Sequence, residues 1–316
     1  MRLALLTAAL LAGCALGSPA PAGPATADTA VATGPDAAGP DADFPDSTSR
    51  LPRTVGPYEV RRVGPIDPGD WRLVVERGGR RVWDELGHHV GLGQPDDVGR
   101  FSAFAGRGAP PSDTAAVRDL NGDGTPELVT WRSSVDGGMC CRIVEALTLG
   151  PGAARSVFQM NIGKDESSGF RDLDRDGVDE FLSSDDTFGY WNASGGGSPY
   201  PDVVHAWDGA RWVFSERHLR RPVPSPDSLS RSAAAVLDAT RAGATYPPAA
   251  LWAQALDLIY AGHWDTADRF LADAWPGDRL GPEAPSREAF AAEFAEQLQR
   301  SKFYTSLVAL NGRPPP

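Results

Sequence analysis

Cysteine is scarce: three in 316 residues, too few for a disulfide scaffold. Positive charge is also short, with 30 Lys and Arg against 42 Asp and Glu, a net charge of −12. Phosphate backbones are held by clustered Lys and Arg, so this balance argues against a nucleic-acid partner. No segment supplies the run of about 18 uncharged apolar residues that a transmembrane helix needs. No G-x-S-x-G, P-loop or Rossmann fingerprint occurs. The acids are plentiful, yet no pair stands out as a glycosidase dyad. Turn formers, by contrast, are abundant. The 35 Gly and 28 Pro exclude an all-helical bundle, while 41% hydrophobic residues suffice for a buried core.

The first residues read as an address. Arg2 precedes the apolar stretch Leu3–Leu11, which is far short of the roughly 20 residues that span a bilayer. A short apolar segment behind a basic start predicts a secretory signal over residues 1–13. Leu11-Ala12-Gly13-Cys14 resembles the lipobox of bacterial lipoproteins. That resemblance implies lipidation of Cys14, a membrane partner through the lipid, and a place in the cell envelope. The anchor would sit in the outer membrane or on the outer face of the cytoplasmic membrane. Residues 14–53 read as a tether. Positions 15–50 hold six Pro, four Gly and ten Ala with one aromatic, Phe44. Such a composition cannot bury enough apolar surface to offset its ordering entropy.

Residues 54–222 read as a β domain. Predicted strands are Tyr58–Val63, Trp71–Glu76, Arg80–Glu85, Leu128–Ser133, Cys140–Leu149, Ser156–Asn161, Val203–Trp207 and Arg211–Glu216. Tight hairpins are expected at Gly78-Gly79 and at Asp208-Gly209, the latter suited to a type I′ turn. Residues 223–316 read as a helical subdomain. Ser225-Pro226 opens one helix, with a stop at Gly243; others cover Ala249–Ala261 and Trp264–Trp275. Ser286 caps a fourth that carries Phe290, Phe294 and Leu298 on one face.

A nine-residue pattern occurs twice, 53 residues apart. Asp119-Leu120-Asn121-Gly122-Asp123-Gly124-Thr125-Pro126-Glu127 is echoed by Asp172-Leu173-Asp174-Arg175-Asp176-Gly177-Val178-Asp179-Glu180. Arg118 and Arg171 precede the two copies. Oxygen donors at alternate positions of a curled loop converge on a hard cation. The candidate ligands are Asp119, Asn121, Asp123, the Thr125 carbonyl and Glu127, then Asp172, Asp174, Asp176, the Val178 carbonyl and Glu180. Calcium suits such oxygen sets better than zinc or magnesium. An EF-hand is excluded, because its position 12 falls on Thr130 and Ser183 and a strand-like run follows each loop.

The D-x-[DN]-x-D-G-x-x-E pattern with a strand behind it resembles the calcium loop of FG-GAP/VCBS-type repeats, the blades of integrin-like β-propellers. The resemblance covers roughly residues 100–220 and implies bound Ca2+ and a surface location, without a chemistry. Three blade-like antiparallel units are expected, near 54–118, 119–171 and 172–220. A closed propeller needs at least about four blades, so an open array covered by the helices is expected.

Other features divide between function and plain structure. Phe188, Tyr190, Trp191 and Tyr200 form an aromatic, Gly-rich stretch able to stack on a protein or glycan partner, or simply to cover the sheet. Cys140 and Cys141 are adjacent, as buried thiols or a vicinal disulfide. His88-His89 reads as loop and His263 as a connector. Three functions follow: a non-enzymatic, calcium-stabilised envelope binding protein, which we favour; an envelope hydrolase with structural calcium; or a helical adaptor. A cleft beside the loops would mark the second, and an exposed apolar groove on 223–310 the third.

Overall fold

A computed structural model of the chain describes residues 53–64, 66, 70–87, 89–92, 117–133, 142–150, 153–163 and 168–313. The signal, most of the tether with Cys14, His88, and the Cys140-Cys141 pair lie outside the described residues.

Three antiparallel sheets follow one another along the chain. The first runs β1 (Arg53–Val55), β2 (Tyr58–Val63), β3 (Trp71–Arg77) and β4 (Arg80–Gly87), in that order. The second runs β5 (His89–Leu92), β7 (Glu127–Ser133), β8 (Arg142–Leu149) and β9 (Ala154–Gly163), with β6 (Val117–Arg118) also paired to β7. The third runs β10 (Gly169–Arg171), β11 (Glu180–Ser184), β12 (Asp202–Trp207) and β13 (Trp212–Phe214). Among the described residues no sheet closes into a barrel. A β-rich body with a helical C-terminal part is therefore the architecture.

The sheets stack face to face. Successive residues of a strand point to opposite faces. On β7, Leu128 packs with Tyr58, Val60 and Leu73 of the first sheet, while Val129 packs with Phe170, Phe181 and Trp212 of the third. On β11, Phe181 faces the second sheet, and Leu182 joins the core shared with the helices. Rings of Phe158, Phe170, Phe181 and Trp212 meet edge-on or tilted between the second and third sheets, which adds to their burial.

The turns obey local chemistry. Gly78 and Gly79 both take positive φ, +57° and +76°, so the β3–β4 hairpin has the handedness of a type I′ turn. At the β12–β13 turn only Gly209 does so, at +97°. Type I′ is thus not the geometry there; Asp208 Oδ1 instead accepts the Ala210 and Arg211 amides, each at 2.9 Å.

The short helix α1 (Glu216–Leu219) leaves β13 directly. Then come α2 (Pro226–Ala239), α3 (Ala249–Tyr260), α4 (Trp264–Asp273), α5 (Arg287–Gln299) and α6 (Tyr304–Asn311). Ser225 and Ser286 cap α2 and α5 by accepting the Ser228 and Ala289 amides at 3.2 Å. The first of these stops before the expected Gly243, since the Thr240 hydroxyl donates to the Val236 carbonyl at 2.8 Å and closes the last turn. Leu251, Trp252, Phe290, Leu298 and Leu307 fill the helical core against the third sheet.

Asp185, at the end of β11, fastens sheet to helices. It is 1% exposed and accepts the Tyr260 and Ser301 hydroxyls on one oxygen. Its other oxygen accepts the Thr187 amide and hydroxyl, at 2.9 and 2.5 Å.

Candidate metal centre

Each Asp-rich loop is a hairpin turn of its sheet. The first joins β6 to β7, with Arg118 opposite Glu127; the second joins β10 to β11, with Arg171 opposite Glu180. The backbone repeats as well as the sequence. Position 4 is left-handed in both, Gly122 at +74° and Arg175 at +66°. So is position 6, Gly124 at +83° and Gly177 at +89°. An arginine at such a φ is strained where a glycine is not.

The side-chain scheme also recurs. The carboxylate at position 1 accepts loop amides: Asp119 from Gly122 and Gly124, both at 2.8 Å, and Asp172 from Asp176 and Gly177, both at 3.1 Å. At position 5, Asp123 accepts the Thr125 amide and Asp176 the Val178 amide. The glutamate at position 9 turns back to the amide at position 2, Leu120 or Leu173, at 2.9 Å in both loops. Glu127 then receives the Thr148 hydroxyl on its second oxygen at 3.1 Å.

The two loops touch. The Asp179 amide donates to the Leu120 carbonyl at 2.8 Å, and Trp212 Nε1 donates to the Asp179 carbonyl at 2.8 Å. Burial, outweighing the pull of Arg118, pushes the Asp179 carboxyl up to about 7; Asp172, Glu180 and Asp119 push the same way. Burial likewise raises Glu127 and Glu180. Asp123 is lowered, chiefly by the Thr125 amide. Carboxylates crowded until they favour protons are what a divalent cation relieves.

The second loop fits a hard cation. Oxygens of Asp172, Asp174 and Asp176 all lie within 4.8 Å of one another, and Asp174 Oδ1 is buried without a hydrogen-bond partner. The first loop offers less. Asp119, Asp123 and Glu127 form no such set among the described residues, and Asn121 Nδ2 donates to Asp123 Oδ2 at 3.2 Å. Glu180 groups with Asp174 and His218 rather than with Asp172 and Asp176.

His218 is the residue that sequence reasoning missed. The α1 turn carries it back over the second loop, with Ser215 Oγ 2.7 Å from its Nδ1. Its neighbour Arg217 pairs with Asp174 Oδ2. No spacing motif announces them, because Asp174 and His218 meet across 44 residues of chain. Arg217 and His218 line a cleft of about 450 Å3 between α1, α3 and the segment before β12, together with Tyr200, Asp202 and Arg221.

The aromatic stretch splits. Phe188 is 1% exposed and packs on Trp191 and Phe294; Trp191 also meets Trp252 and Phe290. These two rings pack in the core shared by the helices and the third sheet, Phe188 buried and Trp191 half-buried. Tyr190 is 56% exposed and Tyr200 reaches the cleft. His263 caps α4 and bonds the Arg221 carbonyl through Nε2.

No protein family, curated protein or solved structure gives a significant match to the chain.

Proposed function

We propose that the chain is a lipid-anchored envelope protein whose paired Asp loops take up calcium as a structural ion, and whose outer surface binds a protein or glycan partner. In this reading the three stacked sheets are blade-like units of the FG-GAP/VCBS kind. The carrying observation is the recurrence of one loop geometry, left-handed at positions 4 and 6, at equivalent hairpins of adjacent sheets. Asp172, Asp174, Asp176 and the Val178 carbonyl would hold the ion in the second loop. Asp119, Asn121, Asp123 and the Thr125 carbonyl would do so in the first. Calcium would supply positive charge where burial has crowded carboxylates together, and Asp179 and Trp212 tie that charge to the sheet junction.

The described residues give the adaptor reading little apolar surface. The large exposed apolar side chains among the described residues are Ile66, Leu86, Tyr190 and Val223, and only the last lies on the helical part. The cleft beside His218 favours the hydrolase reading as the alternative.

The test is a thermal melt of the full chain in millimolar calcium and again in chelator. Saturation of about 100-fold over Kd adds roughly 2.7 kcal/mol, a shift of several degrees. The shift should vanish in Asp172→Ala/Asp176→Ala. An unchanged midpoint, with no calcium found by elemental analysis, would sink the reading.

A further inference from the structure

The donors around His218 do not need calcium to converge. His218 Nε2 lies 3.4 Å from Asp174 Oδ2 and 3.7 Å from Glu180 Oε1, and one ligand atom from each residue lies within 4.8 Å of the other two. A tetrahedral cation bound at about 2.0–2.1 Å sets its ligand atoms about 3.3 Å apart. Two of the spacings are already near that value. The ring is pre-oriented: with its proton on Nδ1, held by Ser215 Oγ at 2.7 Å, the Nε2 lone pair faces the two carboxylates. The side chains of His218, Glu180 and Asp174 are 10%, 3% and 20% exposed, so the set is mostly dry. Asp174 Oδ1 is buried with no hydrogen-bond partner. The cleft lined by His218 and Arg217 leaves room for water or a ligand at a fourth position.

We propose that Asp174, Glu180 and His218 form a binding site for a first-row divalent cation, zinc above all, open on its fourth side to the cleft. One nitrogen and two carboxylate oxygens suit zinc better than calcium, which takes more oxygens at longer range. The site shares Asp174 with the calcium reading, but neither Asp172 nor Asp176 belongs to it. Arg217 is its competitor. Its guanidinium holds Asp174 Oδ2, but the side chain is 73% exposed and can swing away. Removing that charge should tighten the metal, an effect opposite to that of removing a ligand.

Cobalt(II) is the probe, because four-coordinate cobalt gives intense visible bands and zinc displaces it. The full chain, stripped with chelator, is titrated with cobalt. One cobalt per chain with four-coordinate bands is expected. His218→Ala should weaken binding at least about tenfold, and Arg217→Ala should strengthen it. His218→Gln keeps a polar side chain beside Ser215 should the alanine variant not fold, and it too should weaken binding. Asp172→Asn should keep the four-coordinate cobalt bands while removing any calcium-dependent shift, because Asp172 is not one of the three donors. The proposal is overturned if the parent chain and Arg217→Ala take up neither cobalt nor zinc. It is equally overturned if both His218 variants bind as the parent does.

Discussion

Arg118 Nη2 lies 2.7 Å from Asp179 Oδ2, so the residue before the first loop is ion-paired to the second loop. The same guanidinium donates to the Phe170 carbonyl at 2.7 Å, at the edge of β10. One side chain thus bridges the second and third sheets at the point where the acids are densest. The Asp179 side chain is 7% exposed and its carboxyl is already pushed up to about 7, so without Arg118 it takes a proton rather than stay charged. Arg118→Ala should therefore cost about 1–3 kcal/mol in denaturant unfolding, from the lost pair and the lost bond to the Phe170 carbonyl. Asp179→Asn in that background should change little further, because an amide then stands where a neutral carboxyl already stood. A double-mutant cycle measures this, and additive costs would show that the pair is not coupled.

Arg175 stands at φ +66°, where the matching residue of the first loop is Gly122 at +74°. A side chain in the left-handed region costs roughly 1–2 kcal/mol, partly offset by the extra unfolded-state freedom of glycine. Arg175→Gly should therefore raise the melting midpoint slightly, and Gly177→Ala at +89° should lower it, at a cost of about 1 kcal/mol in stability. Nothing lies within 4 Å of a Cβ at Gly177, so that cost would come from the backbone alone. A stabilised Gly177→Ala would mean the loop relaxes to another turn.

Local pattern carried much of this architecture, and long-range contact carried the rest. Strands such as Trp71–Arg77 and Glu127–Ser133 are written in β-branched and aromatic residues between turn formers. Both Asp loops are legible because their chemistry lies within nine consecutive residues. The short β5 and β10 are strands only through pairing with β7 and β11, so four or three residues of sequence do not declare them. For the same reason β5 joins the second sheet, although β4, the strand just before it, belongs to the first. Helix α6 went unforeseen; Leu307 and Leu310 are fixed by the core they fill. Phe188 and Trp191 read as a ligand stretch because their burying partners, Phe290 and Phe294, lie about a hundred residues on. His218 reaches its site by a turn of α1, a placement no local motif encodes.

Asp185 offers a direct measure of how firmly the helices are held. Its carboxylate serves hydroxyls from α3 and from the α5–α6 turn, and burial together with the facing charge holds the Tyr260 phenol well above its ordinary range. Asp185→Ala would leave the Tyr260, Ser301 and Thr187 donors unsatisfied in the core, a loss of about 3 kcal/mol or more. Tyr260→Phe removes one donor and leaves the acceptor served by the others, so about 1 kcal/mol is expected. Chemical denaturation of both variants tests the ordering. Equal costs would mean that the Tyr260 hydroxyl alone, and not the Ser301 and Thr187 bonds, carries the carboxylate's contribution.

His205 should give stability a measurable pH dependence. Its ring is 7% exposed among Phe158, Phe214 and Phe303, and Nδ1 is buried without a hydrogen-bond partner. Burial, aided by the Lys302 charge, lowers its pKa from the ordinary 6.5 to about 4. Between those values the unfolded chain binds a proton that the folded chain refuses. The stabilising contribution is full above pH 6.5, falls as pH drops toward 4, and is then constant. The total loss is about 3 kcal/mol. Carboxylates with raised values, Asp179 foremost, tilt the profile the other way, toward lower stability as pH rises. The histidine share is therefore read as the difference between the parent chain and His205→Leu, melted at intervals from pH 7 to pH 4. That difference should shift steadily in favour of the leucine variant as pH falls. Parallel profiles would mean that the ring titrates in the fold as it does in the unfolded chain, and the buried neutral imidazole would be the wrong description of this core.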